Sequence, residues 1–187
     1  MDLADVAQLI SILFILILNI GIEEKKEVNA LTVDKNGHVP VKIHLKTNIR
    51  QSDESETFEL VLFGHYYRKN GADFLIYDEV QEEGTVHTIV KMKDNEVLIL
   101  RSGILKMRLK FHLDKEGNGS YESRYGTFFL GTKTNTFKHE TSTTADDTLQ
   151  GNVRLIYTLL MQGTSVGTYD MEIHYRESEE QLLDESI

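Results

Sequence analysis

The side chains able to do chemistry here are seven histidines, thirty acidic residues and twenty lysines and arginines, for the chain has no cysteine. Without thiols there is no cysteine nucleophile, no disulfide frame and no zinc–thiolate site, a usage compatible with a reducing compartment. The histidines are His38, His44, His65, His87, His112, His139 and His174. None stands in His-Glu-x-x-His or another ligand spacing. Within the expected strands, only Glu172 with His174 has the i, i+2 separation that places two ligands on one face. A solvated polar face explains that pair better, so no metal site is assigned. There is no Gly-x-Ser-x-Gly elbow and no phosphate-binding glycine loop. Gly117-Asn118-Gly119 carries Glu122 where a dinucleotide fingerprint needs a third glycine, and it reads as a turn. No catalytic residue and no cofactor is expected.

A second constellation consists of polar residues among apolar ones. Arg101 closes the run Val97-Leu98-Ile99-Leu100, and Glu79, Thr88, Lys91, Arg124, Thr132 and Thr134 lie within β-rich stretches. Any that point into a core must be paired, because a lone buried charge is costly. A paired polar interior is a structural plug or a ligand site, and the plug is the commoner of the two. If a ligand enters, Arg101, Glu79, Lys91 and Arg124 are the expected polar contacts, and two or more cations there suit an anionic head group.

A third constellation is a set of basic strand faces: Lys42, His44 and Lys46, and again Lys106, Arg108, Lys110 and His112. Between Arg101 and Lys138 there are eight basic and three acidic residues, a local charge of +5. Such a face can meet an acidic protein or nucleic acid. A solvated face that discourages edge-to-edge aggregation is the commoner role. Aromatic residues are not interleaved with the bases, which argues against nucleic acid.

The elements that must position these residues follow period two, the mark of half-buried strands. Val41, Ile43, Leu45, Thr47 and Ile49 alternate with Lys42, His44, Lys46 and Asn48, just after the only proline, Pro40. Phe58 to Tyr66 repeats the pattern, and Asn70-Gly71 suits a hairpin turn with positive φ. Phe74–Val80, Thr85–Lys93 and Glu96–Arg101 follow, joined at Glu83-Gly84 and Asp94-Asn95. Leu105, Met107, Leu109, Phe111 and Leu113 form the clearest strand. After a turn at Glu116–Gly119 come Tyr121–Leu130 and Thr132–His139. Glu140–Gln150 reads as a polar surface loop. A last hairpin runs through Val153–Met161 and Met171–Tyr175, turning at Gln162–Val166. Eight to ten short strands without an internal helix predict an all-β domain. Closure into a single antiparallel up-and-down barrel removes the unpaired edges, with a two-sheet sandwich as the alternative.

Charge and hydropathy divide the chain into residues 1–30, a β domain over 31–176 and an acidic tail over 177–187. The first segment carries −3, the middle −2 and the tail −5, which together give the net −10. Val6–Ile22 is almost wholly apolar, and seventeen residues lie at the lower limit for a membrane span. Asp2 and Asp5 precede it and Lys25 and Lys26 follow, the reverse of a secretory signal. Three readings stay open: a start codon assigned too early, a single-span anchor with the β domain in the cytoplasm, or a signal peptide. Lys26-Glu27 is how a ribosome-binding AAGGAG would be translated, with Val28, Leu31 or Val33 as a later start.

Several of these stretches resemble the YwiB-like family of bacterial proteins. They are Thr88-Ile89-Val90-Lys91, Glu96 through Arg101-Ser102-Gly103, Lys106-Met107, Tyr125 through Leu130, and Thr132-Lys133-Thr134. The similarity covers about Val41 to Tyr175, and Arg-Ser-Gly followed by Lys-Met is its most specific part. It implies a calycin-like, lipocalin-type barrel in a cytoplasmic bacterial protein of unassigned function, and it carries over no catalytic residues. The apolar amino terminus departs from the family pattern, which favours the later start. The expected function is a non-enzymatic barrel that holds a small amphipathic or anionic ligand, or that serves a structural or stress-related role. The alternative is a surface-interaction protein, and an enzyme would need a convergent acid–base pair in a cleft.

Overall fold

The computed structural model describes residues 37–81, 83–123 and 126–178. The segment 1–30 and the tail beyond Ser178 therefore lie outside the described residues. Ten strands follow in order: β1 Val39–Gln51, β2 Glu54–Lys69, β3 Ala72–Gln81, β4 Gly84–Lys93, β5 Glu96–Gly103, β6 Lys106–His112, β7 Gly117–Ser123, β8 Gly126–Thr143, β9 Leu149–Met161 and β10 Thr164–Glu177. Each pairs antiparallel with its neighbour in sequence, and β10 returns to β1, closing the barrel. The sandwich alternative is excluded. Among the described residues no helix is long and apolar enough to cross a membrane.

Alternation explains which face each residue takes. Val41, Ile43, Leu45, Thr47 and Ile49 of β1 point inward, as do Val153, Leu155, Tyr157 and Leu159 of β9. Each fully buried aliphatic or aromatic side chain contributes about 1.5–3 kcal/mol. The lumen is filled rather than hollow at mid-height. Tyr157 stacks on Tyr169 with ring centroids 5.0 Å apart, and Phe111 meets Tyr157 edge-on at 4.6 Å.

The turns follow local chemistry. Asn70 and Gly71 both have positive φ, 52° and 71°, as the mirror-image hairpin turn requires. Gln162-Gly163 makes the same kind of turn, with φ of 50° and 81°, so the final hairpin turn is shorter than Gln162–Val166. The other differences from the sequence reading lie in β7 and β8. Gly117–Gly119 belongs to a strand rather than a turn. β8 runs unbroken through Gly131 and continues over Glu140–Thr143, where a loop was expected. Polar strand residues such as Thr and Ser are stabilised there by pairing with β9, a tertiary effect that composition does not show.

One irregularity matters for the site. The β8–β9 register shifts between Thr134 and Thr136, leaving Asn135 as the extra residue of a bulge. Before the bulge the inward residues are Leu130, Thr132 and Thr134; after it, Tyr157 and Leu155 of β9 stand opposite Thr134 and Phe137. The inward set thus becomes Phe137, His139 and Thr141. Alternation carried on without the bulge would turn Lys138 and Glu140 inward and His139 out.

The filled lumen makes a direct prediction. Leu159→Ala, at a fully buried position, should cost about 2–5 kcal/mol in urea unfolding. Val80→Ala, at an exposed one, should stay within about 0.5 kcal/mol.

Candidate functional site

Two polar clusters lie inside the barrel. The first joins β3, β4 and β5. Glu79, Thr88 and Arg101 occupy inward positions, because Tyr77, Val86, Val90 and Ile99 hold the same faces. An Arg101 guanidinium nitrogen donates to both Glu79 carboxylate oxygens, at 2.6 and 2.5 Å. Thr88 Oγ1 donates to Glu79 Oε1 at 3.0 Å. Both charged side chains are only 6% exposed. Arg101 Nε has no hydrogen-bond partner among the described residues. Buried Tyr77 and Tyr157 lie near this pair, an enclosure that suits a structural plug.

Of the four expected contact residues, three are described. Glu79 and Arg101 form one buried pair. Lys91 is not in the interior: Val90 and Met92 take the inward positions of β4, so alternation sends Lys91 outside. There its ammonium lies 5.8 Å from the Phe74 ring centroid, at the end of the exterior stack His38–Tyr67–Phe74. Arg124 lies outside the described residues.

The second cluster occupies the barrel mouth formed by the β2–β3 and β4–β5 turns and the far half of β8. Asp73 at the start of β3 is buried. It accepts hydrogen bonds from the Tyr66 hydroxyl at 2.7 Å and from Arg68 at 2.5 and 2.8 Å. Burial alone would raise its pKa, but the Arg68 and Tyr66 hydrogen bonds outweigh that and hold the carboxyl below the usual range. Asp73 Oδ2 also lies 3.6 Å from His139 Nδ1. His139 Nε2 lies 3.0 Å from Thr141 Oγ1 and 3.2 Å from the Tyr175 hydroxyl, and those two hydroxyls are 2.6 Å apart. Burial lowers the His139 pKa; the Asp73 charge opposes this and Arg68 reinforces it. Burial, followed by the Asp73 hydrogen bond, pushes the Tyr66 hydroxyl up to about 12, and burial also raises Tyr175. At neutral pH the cluster thus holds an ionised carboxylate, a neutral imidazole and protonated phenols.

Two backbone features build this arrangement. The Asn135 bulge turns His139 and Thr141 inward. Gly151, directly across from Tyr175, leaves room for the phenol, since a Cβ there would collide with its ring. Tyr175 then stacks on Tyr66 at 5.5 Å. The cluster borders a cavity of about 430 Å³, within the range of small-molecule sites. Asp73 and His139 line it together with apolar Met92 and Phe137, and Lys93, Asp94, Lys138 and Glu140 also contribute. Sequence reasoning missed this site. Asp73 sits in phase with Leu75 and Tyr77, which marks it as inward, but nothing local to His139 signals the bulge.

Some residues of the basic strand faces meet a carboxylate. Lys106 lies 3.5 Å from Glu122, Lys110 lies 3.5 Å from Glu96, and Lys46 lies 2.6 Å from Glu59. Glu172 and His174 face outward, and among the described residues no group of three His, Asp or Glu could hold a metal ion.

This fold and chain match a described family. The model of a domain of unknown function (DUF1934) matches residues 43–173. The chain belongs to the DUF1934 family. The uncharacterized beta-barrel protein YwiB of Bacillus subtilis is 29% identical over 136 residues, 73% of this chain and 92% of that protein. The crystal structure of ywiB protein from Bacillus subtilis aligns with a TM-score of 0.64 at 27% identity, over 75% of this chain and 93% of that one. The resemblance drawn from the Arg-Ser-Gly and neighbouring segments thus led to the right family. In this DUF1934 member the two polar clusters fall inside the matched residues, except for Tyr175 just past their end.

Two measurements test the clusters. Arg101→Met leaves Glu79 buried without its cation and should cost about 3–5 kcal/mol, while Glu79→Leu/Arg101→Met together should cost less than the single change. A larger loss in the double variant would contradict the pairing. His139, unlike an unfolded histidine at 6.5, should titrate below that value by ring NMR. The unfolded chain then binds a proton that the folded one does not. The contribution is full above pH 6.5, falls as pH drops through the window below it, and levels off under the folded pKa. His139→Gln should flatten that slope, and a His139 midpoint at or above 6.5 would refute the assignment.

Proposed function

We propose that this protein is a non-enzymatic binding barrel whose mouth takes a small amphipathic molecule. The observation that carries this reading is the cavity of about 430 Å³ with Asp73 and His139 on one side and Met92 and Phe137 in its wall. An apolar body would lie on half-buried Phe137, with Met92 buried behind it, and a polar end would meet the charged residues. Those charges are mixed, with Asp73, Asp94 and Glu140 against Lys93 and Lys138, so a simple anion is not the favoured occupant of the mouth.

Binding is favoured over catalysis by the bonding of Asp73. Arg68 and Tyr66 already occupy its carboxylate oxygens, and the 3.6 Å to His139 exceeds hydrogen-bond reach. The carboxylate is thus poorly placed to strengthen the imidazole as a base. A cytoplasmic setting is part of the same proposal, supported by a chain with no cysteine, which suits a reducing compartment.

A thermal-shift screen and native mass spectrometry against small amphipathic compounds test the reading. A ligand at about a hundred times its Kd adds about 2.7 kcal/mol of stability. Hits should be retained by Arg101→Met and weakened by Phe137→Ala, which opens the apolar wall. No hit with wild type sinks the proposal. Hits lost in Arg101→Met but kept in Phe137→Ala would move binding to the interior pair.

A further inference from the structure

The outer face of the barrel changes character around its circumference. β1 and β6 present Lys42, Lys46, Lys106 and Arg108 outward. On β2 to β5, two adjacent cross-strand rows are mainly apolar. One reads Tyr67, Phe74, Lys91, Leu98, and the next reads His65, Ile76, Ile89, Leu100. Phe63 and Val61 extend the patch along β2, 41% and 52% exposed. Lys91 does not break it, since its ammonium lies over the Phe74 ring. The run Val97-Leu98-Ile99-Leu100 of β5 shows the pattern most clearly. Val97 and Ile99 are buried in the lumen, and Leu98 and Leu100 point the other way. A strand apolar on both faces is the pattern of a sheet covered on both sides. A contiguous outer apolar patch marks a site of contact.

The place where the chain enters this face points to its cover. The described chain starts at Gly37. The His38 ring stacks on Tyr67 at 4.5 Å, and Tyr67 stacks on Phe74 at 4.6 Å. The described backbone thus begins at the corner of the apolar rows. Upstream in sequence lies the apolar stretch Val6–Ile22, joined to Gly37 through residues 23–36. From this juxtaposition we propose that the outer face of β2 to β5 is the docking site of the chain's own segment Val6–Ile22. The reach is ample. Fourteen connecting residues span up to about 45–50 Å when extended, while four neighbouring strands are only about 15 Å across. Such a tether holds the segment at an effective concentration of about millimolar, an advantage that a second copy lacks. The segment then belongs to the barrel surface rather than to a bilayer, for which its seventeen residues are at the lower limit. Docking here is independent of the barrel mouth and of what binds there.

The cysteine-free sequence makes the test clean, because one introduced thiol carries a spin label at one place. In the full chain, a label at Ser102→Cys, two residues beyond Leu100 on the same outer face, should bleach the amide NMR signals of Val6–Ile22. A label at Asn152→Cys, exposed on β9, should leave most of them intact. Light scattering should show a monomer without detergent. Leu100→Asp and Phe63→Asp should each reduce the bleaching from Ser102→Cys while circular dichroism stays unchanged. Phe63 is the safer position, being 41% exposed. No bleaching from Ser102→Cys, equal bleaching from both labels, or bleaching untouched by both substitutions would overturn the proposal. So would equal bleaching when labelled, unenriched molecules are mixed with enriched, unlabelled ones, which would assign the face to a second copy. Transfer of the full chain to phosphatidylcholine vesicles with loss of the Ser102→Cys effect would also overturn it, and would assign the segment to a bilayer.

Discussion

The return of β10 to pair with β1 is the constraint on which the rest of the molecule depends. A meander of ten antiparallel strands leaves two edges, each a row of unpaired amides and carbonyls, and the ladder from Val41–Glu177 to Arg50–Thr168 removes both at once. Closure commits every second residue to a confined lumen. The packed aromatic layer of Phe111, Tyr157 and Tyr169 fills that space at mid-height. A charged residue that alternation sends inward must then find its partner inside. Glu79 and Arg101 do so across β4, with Thr88 of the intervening strand completing the bonding.

The same rule, locally broken, creates the mouth. A single extra residue in β8 changes which of its side chains face in, and it brings an imidazole and a hydroxyl beside a carboxylate on the opposite wall. The absence of a side chain at Gly151 allows the Tyr175 phenol to close over them. Polarity here is tolerated because nearly every group has a partner: Arg68 and Tyr66 on Asp73, Thr141 and Tyr175 on His139. The mouth is therefore a preorganised polar wall beside an apolar one. Interior and exterior charges have different fates. Inside, they are paired or excluded; outside, several are matched across strands.

The strands and the inward set of β1, β3, β5, β6 and β9 were legible from alternation alone, because each is half-buried and regular. The Arg101–Glu79 partnership was legible in part: both residues were marked as inward, but pairing across β4 depends on strand register. Lys91 was misplaced because a β-rich stretch identifies a strand and not a face; Val90 and Met92 decide the face. The extent of β8 was underestimated because Thr- and Ser-rich segments become strands only when a neighbouring strand accepts them.

By itself, then, the sequence determined an all-β closed meander, its family, its lack of thiol chemistry and the need for internally paired charges. All of these follow from residue type and period two. Only the tertiary structure decided where His139 points, that Asp73 borders a cavity and that Glu79 meets Arg101 across β4. The reason is that a bulge and a cross-strand register are relations between distant segments. A one-residue shift reverses every face beyond it, and no local pattern records that shift.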